Sequence, residues 1–403
     1  MAVRITSAKQ TLSHITYTPK TDVQLIQKAW NHTNEIKRLY RADNLNILHS
    51  LLTDDNICGK VNLIYIDPPY NTGGAFETRD LKYAYNDNFT LDSYLEFMRK
   101  RLEILHQLLS AEGSIYIHLD SNMVFHVKVM MDEIFGIKNF KGMITRKKCK
   151  SKNCTSKSYG NISDYILFYS KTDCPVWNRP YEEWNDEKIL KEYPCVEDKT
   201  GRRYKKVPIH APGVRNGDTG KAWRGMLPPI GKHWQFTPNK LDEMDANGEI
   251  YWSANGNPRR KIYLDQSKGI PVQDIWLDYL DVNNQNTCIT GYPTEKNIDM
   301  LKRIIETSSR PGDIVLDCFA GSGTTLVAAE ELNRQWIGID IGQEAINTII
   351  ERLKSGSKPM GDFVNKKQNP VTLLNLFDEK NFTSVTITPS KEVTYDLFVE
   401  HSL

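Results

Sequence analysis

The run DIVLDCFAGSGTTLVAAEELNRQWIGID, residues 313–340, contains the pattern of a strand, a loop, a helix and a second strand. Its short apolar ends predict buried strands, and LVAAEELN between them predicts a helix. A glycine-rich turn between a strand and a helix lets the backbone approach a ligand closely, and an acid that ends the next strand can accept hydrogen bonds from both hydroxyls of a ribose. Asp340 follows Asp317 by 23 residues, close to the separation expected in a nucleotide-binding βαβ unit.

The loop of this unit, FAGSG, narrows the class of nucleotide. It lacks the third glycine of the dinucleotide pattern GxGxxG, and no GKS or GKT follows, which excludes a phosphate-binding P-loop. A nucleoside ligand without a pyrophosphate fits better, and S-adenosyl-methionine is such a ligand. Phe319 could face its sulfonium or pack beneath the loop as a core side chain. The residues predicted to contact this cofactor are Asp317, Phe319, Ala320, Gly321, Ser322, Gly323, Thr324 and Asp340.

A second motif, YIDPPYNTGGAF at residues 65–76, follows another apolar strand, VNLIYI. Asp67 therefore stands at the carboxyl end of a strand, which is where ligands bind in open α/β sheets. The two prolines have no N–H group and stiffen the chain, so the loop presents hydrogen-bond acceptors. It is suited to a ligand that has an N–H to donate.

Strand and helix patterns alternate on both sides of a long interruption. The alternation runs through residues 39–171, stops in a stretch rich in proline, glycine and tryptophan at 172–285, and resumes at 286–355. We predict an α/β protein with a doubly wound, mostly parallel, Rossmann-like sheet and an inserted domain of different architecture. Extensions at 1–38 and 356–403 flank these parts.

The N-terminal extension carries the pattern of one amphipathic helix, around Asp22 to Lys37. No run of eighteen apolar residues is present, so we predict neither a membrane span nor a signal peptide. None of the seven cysteines forms a CxxC pair, which favours a reducing, cytoplasmic setting and no metal site.

Basic residues concentrate in and beside the insertion. Between residues 141 and 157 there are seven Lys or Arg and no acid, although the whole chain has a net charge of only +2. Basic residues with interleaved aromatics are typical of surfaces that bind phosphates and bases, and six of the eight tryptophans lie in the insertion. The residues predicted to contact DNA are Arg146, Lys147, Lys148, Lys150, Lys152, Arg202, Arg203, Arg259 and Arg260.

Taken together, the motifs resemble the β-class DNA amino-methyltransferases. The resemblance rests on Asp67-Pro68-Pro69-Tyr70, on Phe319-Ala320-Gly321-Ser322-Gly323, and on GYPTEKN at 291–297, in the family's order. It covers roughly residues 39–353. The resemblance implies that 39–171 is the catalytic half, 172–285 a target-recognition domain for duplex DNA, and 286–355 the cofactor-binding half.

The family also implies a role for each motif residue. The Asp67 carboxylate and the Pro68 carbonyl would accept hydrogen bonds from an exocyclic amine and aim its lone pair at the methyl group. Pro69 completes the loop, and Tyr70 would stack on a base flipped out of the duplex. Cofactor contacts are further implied for Asp43, near the adenine of the donor, and for Thr294 and Lys296, near its carboxylate.

Several readings stay open at this point. We expect methyl transfer to N6 of adenine, because Asp67 begins the catalytic motif; N4 of cytosine and an RNA substrate are the nearest alternatives. The chain could instead be a DNA-binding modification subunit of a restriction complex. A nicotinamide oxidoreductase is disfavoured by the missing third glycine. Two protein partners are possible: a second copy of this chain, in a homodimer, and a separate restriction subunit.

Overall fold

The structure is a computed structural model that describes residues 36–70, 89–151, 157–281 and 295–353 in full. Outside those ranges it describes only the backbone of short strands and of the end of the last helix. The helices are α1 (Asn44–Leu51), α2 (Leu91–Leu108), α3 (Val124–Phe135), α4 (Asp186–Glu192), α5 (Pro238–Ala246), α6 (Ile298–Ser308), α7 (Thr324–Glu331) and α8 (Gln343–Ser355).

The strands are two to eleven residues long. They are β1 (Ile15–Tyr17), β2 (Val23–Lys28), β3 (Lys37–Arg41), β4 (Val61–Ile66), β5 (Ala75–Glu77), β6 (Tyr83–Asn86), β7 (Leu109–Leu119), β8 (Phe140–Lys147), β9 (Ser163–Ser170), β10 (Tyr181–Glu182), β11 (Cys195–Val196), β12 (Arg203–Pro208), β13 (His210–Pro212), β14 (Lys232–Trp234), β15 (Ile250–Trp252), β16 (Pro258–Tyr263), β17 (Ile270–Pro271), β18 (Ile275–Trp276), β19 (Cys288–Ile289), β20 (Ile314–Asp317), β21 (Gln335–Asp340), β22 (Lys358–Pro359), β23 (Phe382–Ile387) and β24 (Val393–Tyr395).

A ten-stranded sheet with the order β18-β8-β9-β7-β4-β20-β21-β3-β2-β23 organises the larger of two compact units, formed by residues 1–178 and 273–403. Its centre, β7-β4-β20-β21-β3, is parallel. Antiparallel strands lie on both sides of this centre. The predicted α/β class with a doubly wound, mostly parallel sheet is confirmed.

The chain leaves the middle of this sheet in two directions. From β4 it passes through α2 to β7 on one side, and from β20 it passes through α7 to β21 on the other. Parallel crossovers are right-handed, so two crossovers that run in opposite directions along the sheet place α2 and α7 on opposite faces. A crevice therefore opens at the ends of the paired strands β4 and β20. The two sequence motifs begin at those two strand ends.

The prediction of a helix around Asp22 to Lys37 is wrong. Residues 23–28 form strand β2, which pairs antiparallel with β3 and β23. The run VQLIQK is short and contains two β-branched residues, so its pattern is compatible with a strand as well as with a helix. The remainder of that prediction, up to residue 35, lies outside the described residues.

The core of the larger unit explains why its elements form. Apolar residues that are 0% exposed recur along the inner strands, as in Ile64, Ile117, Leu316 and Ile337, because strands covered on both faces bury nearly every side chain. Side chains cap the helices that cover them: Asp43 accepts from the Leu45 N–H at the start of α1, and Thr90 accepts from the Ser93 N–H at the start of α2.

The smaller unit comprises residues 179–272. It contains a four-stranded antiparallel sheet, β11-β12-β16-β15, and the hairpin β13–β14. Its own core gathers the buried side chains Ile209, Trp223, Trp234, Leu241, Met244 and Ile250. Residues 172–178 and 273–281 of the predicted insertion belong to the larger unit instead. Within the described residues, no helix has the length and apolarity needed to cross a membrane.

Candidate active site at the carboxyl edge of the parallel sheet

Asp67 follows the end of β4, and both of its carboxylate oxygens have partners. The Tyr70 hydroxyl donates to Oδ1, and the Lys296 ammonium lies 2.6 Å from Oδ2. The Lys296 and Asp67 side chains are 10% and 19% exposed, so the ion pair is shielded from bulk water. Lys296 Nζ also lies 5.5 Å from the centre of the Tyr70 ring. The structure therefore brings together Asp67, Tyr70 and Lys296, although the sequence analysis assigned Lys296 to the cofactor.

The position of Lys296 follows from local structure. Asn297 is the N-cap of α6, and its side chain accepts from the N–H groups of Asp299 and Met300. On the other side, the Glu295 carboxylate lies 3.1 Å from the guanidinium of Arg352 in α8. Lys296 thus stands between two anchored residues immediately before a helix.

Two glycines of the FAGSG loop have backbone conformations that other residues rarely adopt. Gly321 has φ 51° and Gly323 has φ 75°. A Cβ on Gly323 would lie 2.7 Å from Ile349 Cγ1 in α8, which is closer than packed atoms tolerate. The loop also receives Arg352, whose guanidinium donates to the Ser322 carbonyl at 3.3 Å and to Thr324 Oγ1 at 2.9 Å. Sequence reasoning missed Arg352, because it lies far along the chain from the loop that it holds.

Asp340 ends β21 and accepts hydrogen bonds from the backbone. Its carboxylate receives the N–H groups of Gly321 at 2.9 Å and Gly342 at 2.8 Å. Burial nevertheless raises its pKa to about 6. The side chain is only partly buried, so lone pairs stay available for two further donors such as ribose hydroxyls.

Asp317 ends β20 and is 2% exposed. It accepts from Thr325 Oγ1 at 2.6 Å and from the Phe319 N–H at 3.0 Å. Burial raises its pKa to about 7, and the nearby negative charges of Asp67 and Asp340 act in the same direction. Such a cluster of carboxylates at one edge favours a positively charged ligand. S-adenosyl-methionine carries a sulfonium and an ammonium, so the residues present fit the predicted cofactor.

Asp43 is tied to the same edge through two residues that sequence reasoning missed. Arg101 in α2 lies 3.1 Å from Asp43 Oδ1 and donates to Asn44 Oδ1 at 2.6 Å. Asn44 in turn donates to the Cys318 carbonyl at 2.7 Å. These contacts hold the start of α1 against the end of β20. Phe319 is partly buried, and the Phe97 ring lies 6.0 Å from its own, so both interpretations of Phe319 remain compatible with its position.

A buried polar chain lies beneath the catalytic motif. The Tyr65 hydroxyl lies 2.8 Å from His118 Nδ1, and His118 Nε2 lies 3.0 Å from Asp164 Oδ2. The Arg146 guanidinium lies 3.0 Å from Asp164 and 2.6 Å from Asp281. Burial alone would raise the pKa of Asp164, but His118 and Arg146 hold it well below its usual range.

The prediction that Arg146 contacts DNA is therefore wrong. Its side chain is 0% exposed, and its donors are used by Asp164, Asp281 and the Tyr279 carbonyl. Arg146 occupies a position of β8 whose side chain faces the protein interior, and an unpaired guanidinium would be costly there. Asp164 is likewise buried in these ion pairs.

The other residues predicted to contact DNA differ in the exposure and the pairing of their side chains. In the larger unit, Lys150 is exposed and Lys147 and Lys148 are partly exposed. In the smaller unit, Arg259 is exposed, whereas Arg202 is paired with Asp265 at 2.7 Å. Arg203 and Arg260 are partly buried, and Arg260 lies over the Phe236 ring. Lys152 and the predicted cofactor residue Thr294 lie outside the described residues.

Comparisons with known proteins bear on this site. A family model described as DNA methylase matches residues 61–351. The Type II methyltransferase M.EcaI of Enterobacter cloacae is 49% identical over 83% of this chain and 73% of that protein. The StyLTI Mod subunit, a Type III restriction-modification enzyme of Salmonella typhimurium, is 30% identical over 73% of this chain and 50% of that protein. The DNA adenine methyltransferase YhdJ of Escherichia coli is 27% identical over 80% and 85% of the two chains.

Proposed function

The chain belongs to the DNA methylase family that modifies N6 or N4 amino groups, and from that premise we propose that it methylates N6 of adenine at a specific sequence in duplex DNA. S-adenosyl-methionine is the methyl donor of this family. The observation that carries the proposal is the Asp67 carboxylate, which Tyr70 and Lys296 hold in place beside the glycine loop.

Asp67 and Pro68 provide the acceptors for the target amine. An exocyclic amine is a poor nucleophile because its lone pair is delocalised into the ring. Hydrogen bonds to the Asp67 carboxylate and the Pro68 carbonyl favour a pyramidal nitrogen and orient its lone pair. The carboxylate already has two partners, yet it offers about four acceptor positions, so the amine can join Tyr70 and Lys296 without displacing them.

The reaction itself needs no strong base. The nitrogen forms a bond to the methyl carbon, the carbon–sulfur bond breaks, and the electron pair stays on sulfur. The methylated nitrogen then loses its proton to Asp67 or to water. A base inside the duplex is not accessible to such a site, so we assign a flipped-out target and give the Tyr70 ring the role of stacking on it.

Cofactor roles follow the geometry of the second motif. We assign the ribose hydroxyls to Asp340, the methionine end to the Gly321–Thr324 loop, and the adenine side to Asp43 and Phe319. Asp317 supports the loop from below, and Thr294 stays an expectation. Lys296 contacts Asp67 here, and we assign it to the catalytic carboxylate first.

Two finer choices rest on separate support. Two observations favour adenine: Asp67 is the first motif residue, and the relative YhdJ, 27% identical over 80% of this chain, is a DNA adenine methyltransferase. N4 of cytosine is the second candidate, because the matching family model spans both amino groups. The Mod subunit relative supports a role beside a separate restriction subunit, and we expect a cytoplasmic location together with the DNA. A homodimer stays a further expectation.

A methyl-transfer assay on mixed-sequence duplex DNA, digested to nucleosides and analysed by mass, tests the proposal. We expect N6-methyladenine from the wild type and none from Asp67→Ala, while S-adenosyl-methionine still binds both. Glu133→Ala is the matched control, because Glu133 is an exposed acid on α3 that pairs with Arg99. N4-methylcytosine as the product would keep the mechanism and replace adenine. Loss of cofactor binding in Asp67→Ala would contradict the assigned role of Asp67.

A further inference from the structure

In the smaller unit, the chain makes a 19-residue excursion between β13 and β14, which we call the hairpin arm (residues 213–231). Both of its ends are fixed. The Gly213 N–H donates to the Gly231 carbonyl at 2.9 Å, which extends the pairing of β13 with β14. The Lys232 N–H donates to the Pro229 carbonyl at 3.0 Å, so residues 229–232 form a tight turn.

The middle of the hairpin arm is anchored in the core. Trp223 is 1% exposed, and its indole N–H donates to Asp242 at 2.9 Å. Two backbone hydrogen bonds of 2.9 Å join Trp223 to Met226 across a turn. Arg224 donates to Asp242 at 2.8 Å and to Asp245 at 2.6 Å. The arm is therefore a fixed projection rather than a loose loop.

This fixed projection exposes three aliphatic side chains. Val214 is 75% exposed, Leu227 is 72% exposed and Ile230 is fully exposed. Val214 follows Gly213 and Ile230 precedes Gly231, so these two flank the same hydrogen-bonded pair. Single exposed apolar residues need no explanation, but three on one anchored arm give that arm apolar groups that suit contact with a partner.

The charge around the arm is positive. Residues 210–232 contain four Lys or Arg and one acid. Arg215, Lys232 and Arg259 are exposed, and within the described part of the chain none of the three has an ion pair. Burial lowers the pKa of His210, and the charges of Lys232 and Arg259 act in the same direction, which shows that both cations lie near the base of the arm.

We propose that the hairpin arm reads bases in the major groove of duplex DNA: Val214, Leu227 and Ile230 contact thymine methyl groups, and Arg215, Lys232 and Arg259 bind the flanking phosphates. The major groove admits a two-stranded ribbon, and the thymine methyl is the apolar group that bases present there. Unpaired cations beside the apolar surface complement the phosphate charge. The inference rests on the proposed function and deepens it by naming the chemistry of recognition.

The test replaces thymine by uracil, which removes only the methyl group. The probe is a duplex that the wild-type protein selects from a random-sequence pool, with each thymine exchanged in turn, and affinity is measured by fluorescence anisotropy. Burial of one methyl predicts that the wild type loses about fourfold in affinity at one or more positions. Ile230→Ala should bind the thymine and uracil duplexes equally at one such position.

Matched variants separate base contacts from phosphate contacts. Leu190→Ala removes an equally aliphatic side chain, 58% exposed on α4 of the same unit, and should keep the wild-type ratio at every position. Lys232→Ala and Arg259→Ala should weaken binding to all duplexes alike and lower the slope of affinity against salt by roughly one ion each. Ile230→Ala should leave that slope unchanged.

Two results would overturn the inference: a wild type that is indifferent to uracil at every position, or an Ile230→Ala variant that keeps the wild-type ratio at every position. All the substituted residues are exposed, and an unchanged melting temperature confirms that each variant is folded. The binding measurement does not depend on methyl transfer. A wild type that yields no methylated base would therefore refute the proposed function, while the uracil comparison would still decide the role of the arm.

Discussion

Asp317→Asn should remove a pH dependence from the stability of the larger unit. Burial is the main cause that raises the pKa of this carboxyl from its ordinary 3.8 to about 7 in the folded chain. In the unfolded chain it loses its proton near pH 4, whereas in the folded chain it keeps it until about pH 7. The unfolded state then binds fewer protons between these values, so the free energy of unfolding falls as the pH rises.

The size of the effect follows from the shift. At 1.36 kcal/mol per pKa unit, a shift of about three units corresponds to roughly 4 kcal/mol over the whole range, of which about 3 kcal/mol falls between pH 5 and pH 8. Asparagine cannot ionise, so the Asp317→Asn variant lacks this loss. Relative to the wild type, the variant should become more stable by about 3 kcal/mol between pH 5 and pH 8.

Urea unfolding at several pH values without cofactor, followed by circular dichroism, measures this difference. Asp54→Asn is the control, because its ion pair with Arg38 outweighs partial burial and lowers the pKa of Asp54. The stability that Asp54 contributes is lost only at lower pH, so the Asp54→Asn variant should differ from the wild type by a constant amount between pH 5 and pH 8. A constant difference for Asp317→Asn over the same range would refute the reasoning.

Two further predictions concern the residues around Asp67. Lys296→Met removes a charged hydrogen bond worth roughly 1.5–3 kcal/mol, so kcat in a single-turnover assay should fall about tenfold to a hundredfold. Cofactor affinity, measured by calorimetry, should change less. A loss of cofactor affinity larger than the loss of kcat would instead place Lys296 at the methyl donor. Tyr70→Phe should lower kcat roughly tenfold, because one oxygen of the Asp67 carboxylate loses its hydrogen bond. Tyr70→Ala should in addition weaken the binding of duplexes with an unpaired target base. Equal effects of the two substitutions would show that the Tyr70 ring contributes nothing to binding.

Local patterns in the sequence were sufficient to predict the sheet and its two motif loops. The run at 313–340 combines buried strands, a loop with left-handed glycines and a helix within 28 residues, so each part supports the others. The strand at 61–66 is recognisable because a strand buried on both faces has little choice of residue type. Strand β2, near the edge of the sheet beside β23, has a mixed polar and apolar sequence, and its pattern predicts a helix that the structure does not contain.

The site's long-range contacts were beyond the same reasoning. Lys296 and Asp67 are 229 residues apart in the sequence, and only the adjacency of β4 and the segment before α6 makes them partners. Arg146 shows the opposite difficulty. A run of basic residues predicts a solvated face, yet successive side chains on a strand point to opposite faces, so Arg146 in β8 can be buried while Lys147 stays partly exposed.

The arrangement of charge at the strand ends couples the two halves of the proposed reaction. Three carboxylates lie at the ends of three neighbouring parallel strands: Asp67 follows β4, Asp317 ends β20 and Asp340 ends β21. Lys296 neutralises only Asp67 among these three. Burial is the main cause of the raised pKa of Asp317, and the negative charges of Asp67 and Asp340 raise it further. A cationic methyl donor relieves that charge, so its binding should favour ionised Asp317 and release a proton near pH 7. Affinity for the donor should accordingly rise with pH in the wild type and rise less in Asp317→Asn, where Asp340 with its pKa of about 6 still titrates. Calorimetry in two buffers of different ionisation enthalpy can measure the difference.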